Sequence, residues 1–154
     1  MTQSFWLFGA QLRIVADHST TEGQYDLIEG RFLPGTQTPL HRHTRYSEQL
    51  YVLEGQLTVW AAENRVVLAA GENVLIPAGT PHTIGVFNNS PVHALVIAAP
   101  SSFARLIAAV GTQHEDETPN MALVEQMFAE IGDEILGPPG TLPIASAIEA
   151  SQSV

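Results

Sequence analysis

His41 and His43 stand two apart, Glu48 follows five residues later, and His82 closes the glycine-rich stretch GENVLIPAGTPH (71–82). Alternate residues of a strand share a face, so His41 and His43 can aim two imidazoles at one point. Glu48 has an odd offset from His43 and would point the other way on one continuous strand. A turn or bulge through Thr44-Arg45-Tyr46-Ser47 is expected to bring it back. His82 supplies a third imidazole from a later strand. Three nitrogens and one carboxylate oxygen converging in a β-scaffold make a mononuclear metal site. This donor set suits one divalent transition metal per chain, drawn from Fe, Mn, Ni, Co, Cu and Zn. Four protein ligands leave one or two positions open on a five- or six-coordinate ion, as a catalytic centre requires. Beside such a cation Glu48 is also placed to take a proton from a bound hydroxyl.

The elements that must hold these residues read as β-structure as far as Pro100. Ser4 to Ala16 is apolar with Gly9 in its middle, two short strands or one with a bulge. Asp17 to Gln24 is a polar turn, and Tyr25 to Leu33 a strand ended by Pro34-Gly35. Further strands follow through Glu48 to Ala61, Val66 to Leu68, Asn73 to Ile76, His82 to Phe87 and Val92 to Ala98. Short strands punctuated by Gly/Pro turns predict an all-β chain, an antiparallel double-sheet jelly-roll barrel over residues 1–100. The period then changes. Phe103, Leu106, Ile107 and Val110 share one helical face, with Ser101 or Ser102 as cap. Thr118-Pro119 opens a second helix that carries Val124, Met127, Phe128, Ile131 and Ile135 until GPPG (137–140) stops it. Residues 101–137 are thus expected as C-terminal helices packing on the same domain, and 138–154 as a tail.

The spacing Gly35-x5-His41-x-His43-x4-Glu48-x6-Gly55 resembles the first cupin motif at each fixed position. Gly71-x5-Pro77-x-Gly79-x2-His82 resembles the second as far as its histidine; the asparagine expected four residues later is replaced by Val86. The 15 residues between, Gln56 to Ala70, have the hairpin length typical of small microbial cupins. The early FWLFG segment, the single barrel and the terminal GPPG resemble the quercetin 2,3-dioxygenase-like branch of single-domain cupins. The resemblance implies metal ligation by His41, His43, Glu48 and His82, with Glu48 as base. It further implies a flavonol bound through its deprotonated 3-hydroxyl, ring cleavage by dioxygen and loss of carbon monoxide. Fold-level analogy does not choose the reaction. A non-catalytic small-molecule or metal-binding cupin and an oxygen-independent isomerase, lyase or decarboxylase remain open beside a dioxygenase acting on an enolisable phenol.

Tyr25, Phe32, Tyr46, Tyr51, Trp60 and Phe87 are available to line a pocket for an aromatic ring. Tyr46, Tyr51, Trp60 and Phe87 are the candidate substrate contacts, Tyr46 first because it lies between two ligands. Composition excludes other chemistries. With no cysteine there is no thiol nucleophile, and with no lysine no side-chain Schiff base. A net charge of −10 argues against nucleic acid and anionic membranes as partners. The first residues lack a signal-peptide pattern, so a soluble cytoplasmic protein is expected. An unpaired N-terminal strand predicts a homodimer.

Overall fold

Alternation along Val92–Ala99 shows how the chain builds its core: Val92, Ala94, Val96 and Ala98 are buried, and the residues between them face outward. The computed structural model describes residues 3–143. Its strands before the first turn of helix are β1 (Ser4–Leu7) and β2 (Ala10–Ala16), followed by α1 (His18–Thr21) and β3 (Asp26–Phe32). The motif region comprises β4 (Leu40–His43), β5 (Ser47–Glu54), β6 (Leu57–Ala61), β7 (Asn64–Leu68), β8 (Asn73–Ile76) and β9 (His82–Gly85). The chain closes with β10 (Val92–Ala99), α2 (Phe103–Val110), α3 (Met121–Ile131) and β11 (Asp133–Gly137). Two antiparallel sheets result, ordered β1-β2-β3-β10-β5-β8 and β11-β4-β9-β6-β7. This is the jelly-roll architecture expected from the sequence. Ile28, Leu50, Leu57 and Val59 are fully buried in its core, and each contributes about 1.5–3 kcal/mol through removal from water. Among the described residues no helix is long and apolar enough to cross a membrane.

The odd offset of Glu48 is resolved by the expected turn rather than a bulge, and that turn carries the chain from one sheet to the other. After His43 the chain bends at Thr44-Arg45, leaves the five-stranded sheet and enters β5 of the six-stranded one. Glu48 shares its inward face with Leu50 and Val52 and so meets His43 from the opposing sheet. The segment Asp17 to Gln24 also differs from a plain turn. Asp17 accepts from Ser19 N at 3.0 Å and forms a capping box with Thr20, which closes the single turn α1.

The largest departure lies beyond Pro100. Ser102 holds the cap position of α2, but its side chain makes no capping bond; Asp26 of β3 reaches across instead. The Asp26 carboxylate accepts from Ser102 N and Ala104 N at 2.9 Å each, and from Ser101 Oγ. In α3 the cap is Asn120, whose side chain accepts from Leu123 N at 3.2 Å, rather than Thr118. The helix does not run to 137. Gly132, with φ +79°, ends it, and Asp133–Gly137 becomes a strand on β4, with Asp133 opposite His43 and Ile135 opposite His41. Ile135 therefore belongs to a strand, and the barrel draws on residues well beyond 100. The part of the expected tail from 144 to 154 lies outside the described residues.

Gly132 is required twice over. A Cβ there would fall 2.7 Å from Thr44 Oγ1 and 2.9 Å from Arg45 Cδ, on a backbone that L-residues disfavour. Gly132→Ala is expected to lower stability by about 1–2 kcal/mol from the left-handed backbone alone, read as a reduced urea midpoint. An unchanged midpoint would show that β11 is not held to the barrel as described.

Candidate metal centre

Pairing of β4 with β9 sets His41 directly opposite His82, with ring centroids 4.2 Å apart. His43, two residues along β4, completes the triangle, its centroid 4.9 Å from both. Glu48 approaches from β5, its Oε2 2.7 Å from His43 Nε2 and 3.3 Å from His82 Nε2. One donor atom from each of the four residues lies within 4.8 Å of all the others. The structure thus brings together the ligand set picked out by spacing.

The donor chemistry fits a divalent ion. His41 Nδ1 lies 2.7 Å from Pro39 O, and His82 Nδ1 lies 2.8 Å from Thr80 O. A carbonyl only accepts, so each Nδ1 carries the hydrogen and each Nε2 keeps a lone pair for the centre. His43 Nδ1 bonds Asp133 Oδ1 at 2.9 Å with the same consequence. Three imidazole nitrogens oriented from behind, with one carboxylate oxygen, form a cluster able to hold Fe, Mn, Co, Ni, Cu or Zn.

Without an ion the four groups share protons. Burial pushes His41 down to about 3, and the neighbouring His82 and His43 push the same way. Burial also works against charge on His43, but hydrogen bonds to Asp133 and Glu48 outweigh it and raise the ring to about 9. Burial would raise Glu48, yet bonds from His43 and His82 hold its carboxyl well below the usual range. His43 and Glu48 therefore form an imidazolium–carboxylate pair in the metal-free chain. A metal must displace the His43 proton, so apparent affinity should rise about tenfold per pH unit between roughly pH 7 and 9 and then flatten. Competition titration against a chromophoric chelator reads that slope. A pH-independent affinity over this range would show that no proton is displaced from His43 on binding.

A cavity of about 70 Å³ opens on the four residues. Its apolar walls include Phe8, Leu12 and Phe32 from the barrel and Phe103, Leu106 and Phe128 from the C-terminal helices. Among the described residues no arginine lines it. Of the aromatics considered from the sequence, Phe32 is in the wall; the candidate contacts Tyr46, Tyr51, Trp60 and Phe87 are not. Tyr51 alternates with inward Leu50 and Val52 and so faces outward from β5. Trp60 packs edge-on against Phe87 with centroids 5.4 Å apart, and Phe87 is 60% exposed. Tyr46 is buried behind the site. It stacks on His43 at 4.4 Å and donates its hydroxyl to Asp133 Oδ2 at 2.9 Å. Burial and the nearby carboxylates, Asp133 foremost, hold its phenol well above the ordinary range, so it stays a donor.

Sequence reasoning missed Asp133, Phe8, Phe103 and Phe128. The available signal for Asp133 was Gly132, a helix terminator followed by the short apolar run Ile135-Leu136.

Comparison with known proteins agrees with this geometry. Residues 29–98 match the Cupin_2 family, described as a cupin domain. Quercetin 2,3-dioxygenase of Bacillus subtilis is 36% identical over 78 residues, half of this chain and 23% of the enzyme. The chain thus spans under a quarter of that relative's length. KdgF from Halomonas sp. superposes with a TM-score of 0.58 at 20% identity, covering 68% of this chain and 92% of KdgF. The polyketide cyclase RemF from Streptomyces resistomycificus gives 0.58 at 22% identity, covering 65% and 75%. At such identities these two likenesses concern the fold.

Proposed function

We propose that this protein is a metal-dependent cupin enzyme, and within that class a quercetinase-like dioxygenase acting on a flavonol or related enolisable phenol. The observation that carries the reading is the convergence of His41, His43, Glu48 and His82 on one cavity whose other walls are mostly apolar, with Thr36, Thr38 and Asp133 as the polar exceptions. His41, His43 and His82 would hold the ion with Glu48, and the ion would supply Lewis acidity toward a bound hydroxyl. Glu48 Oε2 accepts the proton as that hydroxyl becomes an alkoxide or enolate. An ion beside Glu48 would itself favour the ionised carboxylate, so proton transfer would require Glu48 to loosen from the ion and turn toward the hydroxyl. Phe8, Phe32, Phe103 and Phe128 exclude water and offer ring faces to an aromatic substrate. The partial likeness to the Bacillus subtilis enzyme supports the same reading.

A second reading is favoured by size. The cavity holds roughly five waters' worth of space, below the ~300–1,000 Å³ of ordinary ligand pockets. A flavonol requires Phe103 or Phe128 to move, whereas a compact neutral ligand does not. The absence of arginine from the described lining disfavours phosphorylated substrates in either case. The separating experiment is oxygen uptake by metal-loaded protein with a flavonol panel. Substrate-dependent uptake at about one metal per chain supports the dioxygenase. Turnover of a small enolisable compound without oxygen would replace it with an isomerase or lyase, and tight binding without turnover with a binding protein.

A further inference from the structure

His41 and His82 are each oriented locally, by a carbonyl two residues earlier in the chain, Pro39 O and Thr80 O. His43 is oriented from a distance. Its Nδ1 reaches Asp133, 90 residues on, at 2.9 Å. We infer that Asp133 is a positioning residue of the metal centre, acting through His43 and locked in place by Tyr46. The inference rests on the reading of His41, His43, Glu48 and His82 as metal ligands.

Asp133 is 7% exposed, and its two carboxylate oxygens face two different donors, His43 Nδ1 and the Tyr46 hydroxyl. A carboxylate presents only acceptors to both, which keeps a hydrogen on Nδ1 and leaves Nε2 as the nitrogen that an ion would take once its proton is displaced. Tyr46 also stacks on the His43 ring at an interplanar angle of 26°, so the imidazole is held in its plane as well as at its edge. A negative oxygen behind the ring increases electron density at the opposite nitrogen and strengthens it as a donor.

The backbone supports the same coupling. Thr44 N and Thr44 Oγ1 both donate to Gly132 O, at 3.0 and 2.6 Å, and Arg45 NH1 donates to Glu130 O at 2.8 Å. The bend that separates His43 from Glu48 is thus tied to the end of α3 and the start of β11. Glu130, Gly132 and Asp133 lie outside the 29–98 region that matches the family, so this chain draws alignment of its centre from its own C-terminal segment. Because coupling is reciprocal, an ion at the centre should in turn hold β11 more firmly.

The test uses Co(II) as probe, with affinity from competition titration and the ligand-field spectrum as a second readout. Asp133→Asn keeps the volume but offers an amide N–H to one of two donors. It should bind Co(II) about 10–100-fold more weakly, with altered absorption bands. Tyr46→Phe keeps the Asp133–His43 bond and removes the lock, and should lose about threefold to tenfold. Glu134→Gln, next along the strand, breaks only the exposed pair with Arg42 and should stay within about twofold. Hydrogen exchange at β11 should slow on Co(II) addition in the unaltered protein and not in Asp133→Asn. Unaltered affinity and spectrum in both Asp133→Asn and Tyr46→Phe would overturn the inference while leaving the metal reading intact. Failure of the unaltered protein to bind Co(II) would overturn both.

Discussion

His82→Ala should empty the centre: metal content falls from about one ion per chain to under about a tenth after exchange into metal-free buffer. His82 is 1% exposed and its ring is fixed by Thr80 O, so its loss removes a donor that is already oriented toward the centre. The two imidazoles and carboxylate that remain are arranged for an ion His82 no longer completes. The substitution itself should cost the metal-free fold little, because the space it leaves merges with a cavity already present. Thermal unfolding separates these effects. The unaltered protein should gain about 2.7 kcal/mol at a hundredfold excess of metal over its dissociation constant, and the variant should gain almost none. Elemental analysis gives the direct check, and stoichiometric metal in His82→Ala would show that the ligand set is wrong.

That this cluster was legible in the sequence follows from how its members are held. His41 and His43 share a strand face by parity, and His82 arrives on the adjacent strand of the same sheet. Local spacing therefore carries most of their geometry. Glu48 was legible as a member of the cluster and the turn before it was expected, but the change of sheet was not. Parity on one strand fails when the chain changes sheets, and the bend at Thr44-Arg45 has no Gly or Pro to announce it. The cavity lining was the least legible part. Tyr51 shows why: its parity relative to Glu48 places it on the outer face, and only its aromatic character recommended it. The true aromatic wall comes from α2, α3, β3 and the β1–β2 turn, brought together by packing that local periodicity does not encode.

The C-terminal strand illustrates the same limit in energetic terms. Val124, Phe128, Ile131 and Ile135 fit a helical stripe, and the helix does form up to Ile131. Beyond it the left-handed Gly132 stops the helix, and the free edge of β4 offers Asp133–Gly137 a ladder of hydrogen bonds. An unpaired edge beside a buried centre is costly to leave open, so tertiary pairing overrides the periodicity. The outcome is chemical as well as structural, since it delivers Asp133 to His43.

Glu48→Gln should separate ligation from proton transfer. Glutamine keeps the shape and one carbonyl oxygen for an ion, but it removes the negative charge and the basic site. Metal affinity should fall, because Glu48 is the one anionic member of the four residues that face the ion. If ligation were its whole contribution, turnover would return once metal is saturating. As the base it is irreplaceable, and turnover at saturating metal should remain about 100- to 10,000-fold below that of the unaltered protein. The position of Oε2, 2.7 Å from His43 Nε2 and 3.3 Å from His82 Nε2, places it inside the centre, within reach of a hydroxyl held there. The measurement is oxygen uptake across a metal titration, with occupancy fixed independently by elemental analysis. Recovery to within about threefold at full occupancy would make Glu48 a ligand alone and assign the substrate proton to water. A persistent loss at full occupancy would tie the reaction to the carboxylate, since the variant would then share the metal and the cavity and lack only the charge and the basic oxygen of that group.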